Sequence, residues 1–172
     1  GMKAFRMRDG RINIFRIDKH YERLARSLER MCMPVISREV FVEGMLQLVK
    51  LDEQWVPESD GSALYIRPFM YASEEKFGIK VSNSYRFIIF TGPVPLLYQS
   101  SIKVKVETHY IRAGRGGAGA AKCGGNYGAA YYPTQLAKQQ GYDQLLWTDG
   151  KENKFIEESG MMNACFVIDG KL

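Results

Sequence analysis

Four glycines fall within the six residues Gly114–Gly119, and no helix or strand is expected to run through such a stretch. Each glycine loses more backbone freedom on ordering than any other residue and offers no side chain to pack. The stretch also lacks apolar periodicity, so it reads as a linker or as a loop that closes over something. It divides the chain into three parts: residues 1–113 as a small α+β domain, 114–121 as a Gly-rich interdomain loop, and 122–172 as the start of a second, α/β domain. With 172 residues, 45% of them hydrophobic, the chain is long enough to bury a core in one domain and part of another.

The first part alternates helical and extended patterns. Lys3–Met7 and Arg11–Phe15 flank Arg8-Asp9-Gly10, which predicts a hairpin or tight turn. Asp18 is expected to cap a helix running to about Cys32, with Leu24, Leu28 and Met31 on its apolar side and Pro34 ending it. Ser37 is expected to cap a second helix that has Phe41, Met45, Leu48 and Val49 on its apolar side and stops before Trp55-Val56-Pro57. Three strand-like runs follow, Ala63–Tyr71, Tyr85–Phe90 and Ile102–Glu107. The run Phe87-Ile88-Ile89-Phe90 has the density of a strand buried on both faces. This part therefore predicts two helices packed on a mostly antiparallel sheet. After the glycines, the pattern predicts a helix from about Gly128 to Gln140, a strand at Leu145-Leu146-Trp147, a turn at Asp149-Gly150, and strand material at Phe155–Glu157 and Asn163–Ile168. Phe166–Ile168, Asp169-Gly170 and Lys171-Leu172 read as a strand, a turn and the opening of another strand.

Composition narrows the function classes. The net charge of +5 is modest, and the basic residues are scattered or interleaved with Asp18, Glu22 and Glu29, as on a solvated helix face. No basic stripe for nucleic acid is visible. Cys32, Cys123 and Cys165 are odd in number and form no CxxC pair, which points to a reducing compartment rather than a disulfide framework. His20 and His109 have no zinc-like spacing to them. No run approaches the roughly 20 apolar residues of a membrane span, and Met2-Lys3-Ala4-Phe5-Arg6 is not a signal peptide. The expectation is a cytoplasmic protein that binds neither metal, membrane nor nucleic acid.

The segment Gly114–Lys122 superficially resembles a phosphate-cradling loop, but that motif needs Lys directly after its last Gly and then Ser or Thr. Ala120 fills the first position and Cys123 follows Lys122, so the match fails. Lys122 itself lies between Gly119-Ala120-Ala121 and Gly124-Gly125, where backbone can approach a ligand closely. An amine desolvated there would become nucleophilic enough for Schiff-base chemistry. From spacing alone, a surface lysine beside a flexible loop is the commoner outcome.

The words around that lysine add a resemblance. Lys122-Cys123-Gly124-Gly125-Asn126-Tyr127 resembles the lysine motif of the branched-chain amino-acid aminotransferases, pyridoxal-phosphate (PLP) enzymes of fold type IV. So does Gln144–Gly150 leading into Glu157-Glu158-Ser159-Gly160-Met161-Met162-Asn163. Upstream, Gly1–Phe5, Arg30-Met31-Cys32-Met33-Pro34 and Leu64-Tyr65-Ile66-Arg67-Pro68 are similar to the family's small domain. The resemblance runs the length of the chain in collinear order. It implies a partial fold like that of D-amino-acid aminotransferase, with pyridoxal 5'-phosphate as cofactor. It also implies homodimers that transfer an amino group between Leu, Ile or Val and 2-oxoglutarate. Lys122 would condense with the cofactor's aldehyde and shuttle the proton, and Tyr127 would hydrogen-bond its phenolic oxygen. Glu158 would sit beside the ring nitrogen, Arg67 would grip the phosphate with its bidentate fork, and Asn163 would support the Glu158 segment.

Two departures stand out. Met161 occupies a position where the family usually has Thr, and in the loop expected at Gly92–Tyr98 only Tyr98 offers an aromatic for a partner's pocket. Family members also extend beyond both ends of this sequence, so the resemblance implies a cofactor cage that is half present. Gly1-Met2 reads either as a residue ahead of a start methionine or as the interior of a longer protein. Two alternatives stay open: another fold type IV enzyme, such as a D-amino-acid aminotransferase or aminodeoxychorismate lyase, or a non-catalytic remnant.

Overall fold

The structure is a computed structural model and describes residues 1–160 and 162–172. It divides into two compact units, Gly1–Gln99 and Ser100–Leu172. The break therefore falls before the glycine run, not at 114. The reason lies in strand pairing: β5 (Val104–Glu107) pairs in parallel with β6 (Gln144–Thr148), which places it in the second unit rather than with the strands that precede it.

In the first unit, β1 (Met2–Arg6), β2 (Ile12–Ile14), β3 (Ala63–Ala72) and β4 (Tyr85–Val94) form an antiparallel sheet in the order β2-β1-β3-β4. The turn joining β1 to β2 closes with the Gly10 N–H donating to the Met7 carbonyl, and Gly10 has φ 83°, a left-handed conformation in which glycine carries no steric penalty. Helix α1 (Ile17–Arg30) and helix α2 (Arg38–Leu51) follow the β1–β2 hairpin, and a single 3-10 turn, Glu53–Trp55, ends the helical segment. Ser37 caps α2 as expected, its Oγ accepting the Val40 N–H at 3.2 Å. Asp18 does not cap α1. The N-cap is Arg16, in a left-handed conformation with φ 53°, while Asp18 lies in the first turn and pairs with Arg38 at the start of α2.

The core of this unit gathers Met2, Ala4, Phe41, Met45, Val49, Val56, Leu64 and Ile66. Phe41, Met45 and Val49 recur at helical spacing, while Leu64 and Ile66 recur at the two-residue period of a strand. Tyr21 of α1 tilts against Phe41, with ring centroids 5.5 Å apart. Strand β4 is not buried on both faces. Phe87 and Ile89 pack on the core, whereas Ile88 and Phe90 are exposed, because side chains alternate between the two faces of a strand and the core lies against one of them. It also runs through Gly92-Pro93-Val94, which the sequence suggested as a loop. An edge position tolerates the donor that Pro93 lacks.

In the second unit, the parallel pair β5–β6 is joined through helix α3 (Gly124–Gln139), and β7 (Ile156–Ser159) adds antiparallel to β6. A parallel pair needs such a crossover, because no tight turn can reverse the chain twice. Helix α3 starts earlier than the periodicity suggested, at Gly124, and includes Pro133. Ala137, Leu145 and Trp147 form the core of this unit, with Tyr110 and Ala130 against them. Residues 163–167 are not strand. Beyond β7 only two isolated bridges occur among the described residues, Ser159 with Met162 and Ile168 with Lys171. Asp169-Gly170 does make the expected turn, with φ 51° and 74°. Positive φ at both central residues is the two-residue hairpin conformation.

Candidate functional site

Strand β6 carries Trp147, only 1% exposed, and β7 is aligned to it by register, Leu146 opposite Ser159 and Trp147 opposite Glu158. A bulge follows between Trp147 and Thr148. The connection between the strands is built around Asp149. Its carboxylate accepts the backbone N–H groups of Lys151, Glu152, Lys154 and Phe155 at 2.7–3.1 Å. These amides, those of Glu152 and Phe155 first, hold the Asp149 carboxyl far below the usual carboxylate range. At the other end of β7, Gly160 has φ +26°, in the left-handed region where a side chain is strained. Glycine is thus what lets the chain leave β7 beside Gln144 while its N–H donates to the Leu145 carbonyl at 2.9 Å.

The exit of β5 is organised by Glu107, whose side chain is 3% exposed. Burial pushes its carboxyl up, but the backbone N–H groups of Tyr110 and His109, together with Lys105, outweigh burial and leave it below the usual range. The two backbone bonds measure 3.0 and 2.8 Å. Thr148 Oγ1 donates to the Glu107 carbonyl at 2.6 Å. This clamped turn leads to Arg112 and the glycine-rich strap.

The strap is folded rather than slack. The Gly117 N–H donates to the Gly114 carbonyl and the Ala121 N–H to the Ala118 carbonyl, both at 3.0 Å. From the first turn of α3, Asn126 Nδ2 donates to the carbonyls of Ala118 at 2.9 Å and Ala121 at 2.8 Å. Lys122 leaves the strap one residue before Cys123, the extended N-cap of α3. Its Nζ lies 5.3 Å from the centre of the Tyr127 ring, within cation–π range.

Lys122 is solvent-exposed in this chain, the commoner outcome on spacing alone, and is not the sheltered amine that the Schiff-base reading calls for. Gly124 and Gly125 beside it have nothing within 4 Å of where a Cβ would stand, so this flank contributes no cover. Glu158 is 40% exposed, with Arg112 Nε 3.9 Å from its Oε2. Lys122, Tyr127 and Glu158 all belong to the second unit. Arg67 stands on β3 of the first, its guanidinium 5.1 Å from the centre of the Tyr65 ring and 5.5 Å from that of Phe90. Asn163 is exposed and outside any strand. Met161, where the sequence lacks the family's usual hydroxyl, lies outside the described residues.

Asn126 and Arg112 were not singled out by the sequence. Asn126 lies inside the lysine motif, and its position four residues after Lys122 at a helix start was the available signal. Arg112 had none beyond being a basic residue just before the glycines.

The donor set suits pyridoxal 5'-phosphate. Within the second unit, an amine, a phenol and a carboxylate are group types that suit that molecule's aldehyde, phenolic oxygen and ring nitrogen. Among the described residues, no group of His, Cys, Asp and Glu could hold a metal ion, and no helix is long and apolar enough to cross a membrane.

Comparison with known proteins gives the same direction. Branched-chain-amino-acid transaminase 1 of Bacillus subtilis (strain 168) is 46% identical over 175 residues, covering 99% of this chain and 49% of that protein. A probable branched-chain-amino-acid aminotransferase of Staphylococcus aureus (strain MRSA252) is 44% identical over 176 residues, covering 100% of this chain and 49% of that protein. The chain thus spans about half the length of the curated relatives it matches. Among solved structures, the branched-chain aminotransferase of Thermoproteus uzoniensis with norvaline aligns with TM-score 0.71 at 19% identity, covering 92% of this chain and 51% of that one. The Escherichia coli branched-chain amino acid aminotransferase aligns with TM-score 0.71 at 23% identity, covering 92% and 50%. At these identities the structural likeness is one of fold, the fold type IV aminotransferase architecture. Residues 2–172 match the family described as amino-transferase class IV, and the chain belongs to that family.

Proposed function

We propose that this chain is the lysine-bearing half of a PLP-dependent branched-chain aminotransferase, which moves an amino group between Leu, Ile or Val and 2-oxoglutarate. The observation that carries the reading is the placement of Lys122 at the head of α3, 5.3 Å from the centre of the Tyr127 ring, in the same compact unit as Glu158. The names of the relatives supply the substrate class.

When bound, PLP supplies an electron-withdrawing ring that stabilises negative charge on the substrate's α-carbon. Lys122 anchors the cofactor through its amine and, once released, moves the proton from the substrate's α-carbon as a general base. The Tyr127 hydroxyl orients the ring through its phenolic oxygen. The Glu158 carboxylate holds a proton on the ring nitrogen. Arg67 is assigned to the phosphate because its planar fork offers paired donors to phosphate oxygens. A homodimer in a cytoplasmic setting belongs to the same proposal, supported by the family resemblance and by three free cysteines, which suit a reducing compartment.

The test compares wild type with Lys122→Ala. Wild type is expected to take up PLP, acquire visible absorbance and, after borohydride reduction, carry the cofactor's mass on Lys122. In whatever form of the protein is active, which need not be this half alone, 2-oxoglutarate is expected to be converted to glutamate with leucine and not with D-alanine. PLP absorbance and leucine-dependent turnover that survive Lys122→Ala sink the reading. Preference for D-alanine or aminodeoxychorismate replaces the substrate class, and a chain that ignores PLP altogether points to a non-catalytic remnant.

A further inference from the structure

Arg112 lies between the glycine strap and the strand that carries Glu158, and its side chain is 22% exposed. Its Nη2 donates to the Gly119 carbonyl at 3.1 Å, while its Nε stands 3.9 Å from Glu158 Oε2. The first contact is a hydrogen bond. The second is too long for one and is an attraction between opposite charges. One planar guanidinium therefore addresses both segments at once, hydrogen-bonding the strap and facing the carboxylate. Gly119 is shaped for this approach. A Cβ on it would fall 2.5 Å from the Ala113 Cβ and 3.4 Å from Arg112 Nη2. The Ala113 Cβ belongs to a side chain with no rotamer to yield. Only glycine lets the strap lie against residues 112 and 113.

We propose that Arg112 is a positioning residue that latches the strap leading into Lys122 to the strand bearing Glu158. This rests on the reading of Lys122 and Glu158 as partners of one cofactor. Lys122 follows Gly119 by three residues, and Asn126 grips the strap at Ala118 and Ala121. Arg112 supplies the hold that reaches outside the strap and helix to β7. Releasing it frees the strap's central carbonyl and lets the lysine's attachment point drift relative to the carboxylate. Small displacements of that kind weaken the grip on a ligand that must meet both groups.

The test uses the full chain, without cofactor and with PLP. Arg112→Met keeps the apolar stem and removes the donors, whereas Arg112→Lys keeps a charge without the fork. In the cofactor-free chain, Arg112→Met is expected to speed amide hydrogen exchange across residues 116–121 about tenfold, as loss of one hydrogen bond implies. The PLP dissociation constant is expected to rise by a similar factor, with Arg112→Lys intermediate in both readouts. Unchanged exchange at 116–121 overturns the proposal. So does faster exchange spread evenly over β5, β6 and α3, which signals only general loosening. If Arg112→Met fails to fold, Gly119→Ala is read instead. It should displace the strap and give the same local exchange, and wild-type exchange in that variant also overturns the proposal. Retention of PLP by Lys122→Ala would refute the cofactor reading while leaving the exchange result standing on its own.

Discussion

Glu158 stands opposite Trp147 in the antiparallel pairing of β6 and β7, so a partly exposed carboxylate is placed by an indole that is almost wholly buried. The indole fixes the strand, and the strand fixes the acid. Because its ion pair with Arg112 is long and the carboxylate is 40% exposed, Glu158 adds little to stability, under about 1 kcal/mol. Its role lies in the proposed chemistry. Glu158→Gln is expected to leave the urea midpoint nearly unchanged and to lower transamination at least ~100-fold, since a neutral amide cannot hold a proton on the cofactor's ring nitrogen. Parallel denaturation and steady-state assays check both halves.

Thr148 and Glu107 join neighbouring strands by a buried bond, Thr148 Oγ1 to the Glu107 carbonyl at 2.6 Å. Thr148→Val keeps the shape and leaves that acceptor facing a methyl group. The expected loss is about 1–3 kcal/mol, read as a lower urea midpoint with an unchanged slope. An unchanged midpoint would show that the carbonyl is satisfied without the hydroxyl.

Asp149 makes the second unit sensitive to acid. Its carboxyl is held far below its ordinary value, by the Glu152 and Phe155 amides first. A folded-state value below the unfolded one means that the stabilisation is complete above the unfolded value. It fades as pH falls through about 4 towards the folded value. Asp149→Asn keeps one carbonyl oxygen, loses the second acceptor that Lys154 and Phe155 now share, and no longer titrates. The variant is expected to melt lower than wild type at about pH 7, with the gap narrowing below about pH 4. Thermal melts over that range give the sign directly.

What the sequence made legible was local chemistry and period. The Ser37 cap, the Phe41-Met45-Val49 stripe and the Gly10 turn each follow from a few adjacent residues, and each is present. The strand at Leu145–Trp147 was legible for the same reason. Three misses were decided by distant partners. Asp18 was a plausible cap, but Arg38, from another helix, holds it. Phe87–Phe90 looked doubly buried because composition cannot tell whether a sheet is covered on one face or on both. Strand β5 was assigned to the wrong unit because its partner β6 lies beyond a loop and a helix. The lysine motif was legible as words, yet the residues that steady it were not. The hydrogen bonds of Arg112 and Asn126 to strap carbonyls depend on how the backbone folds, which residue identity does not encode.

The parallel pairing of β5 with β6 has a kinetic consequence. Its hydrogen bonds cannot form until the strap and α3 have been drawn back across the gap, so loop-closure entropy is met before any ladder energy returns. In the first unit the β1–β2 and β3–β4 pairs close locally, whereas joining β1 to β3 must draw both helices into the closed segment. The segment bearing Lys122 lies inside that crossover, so its amine reaches its place only as the crossover closes.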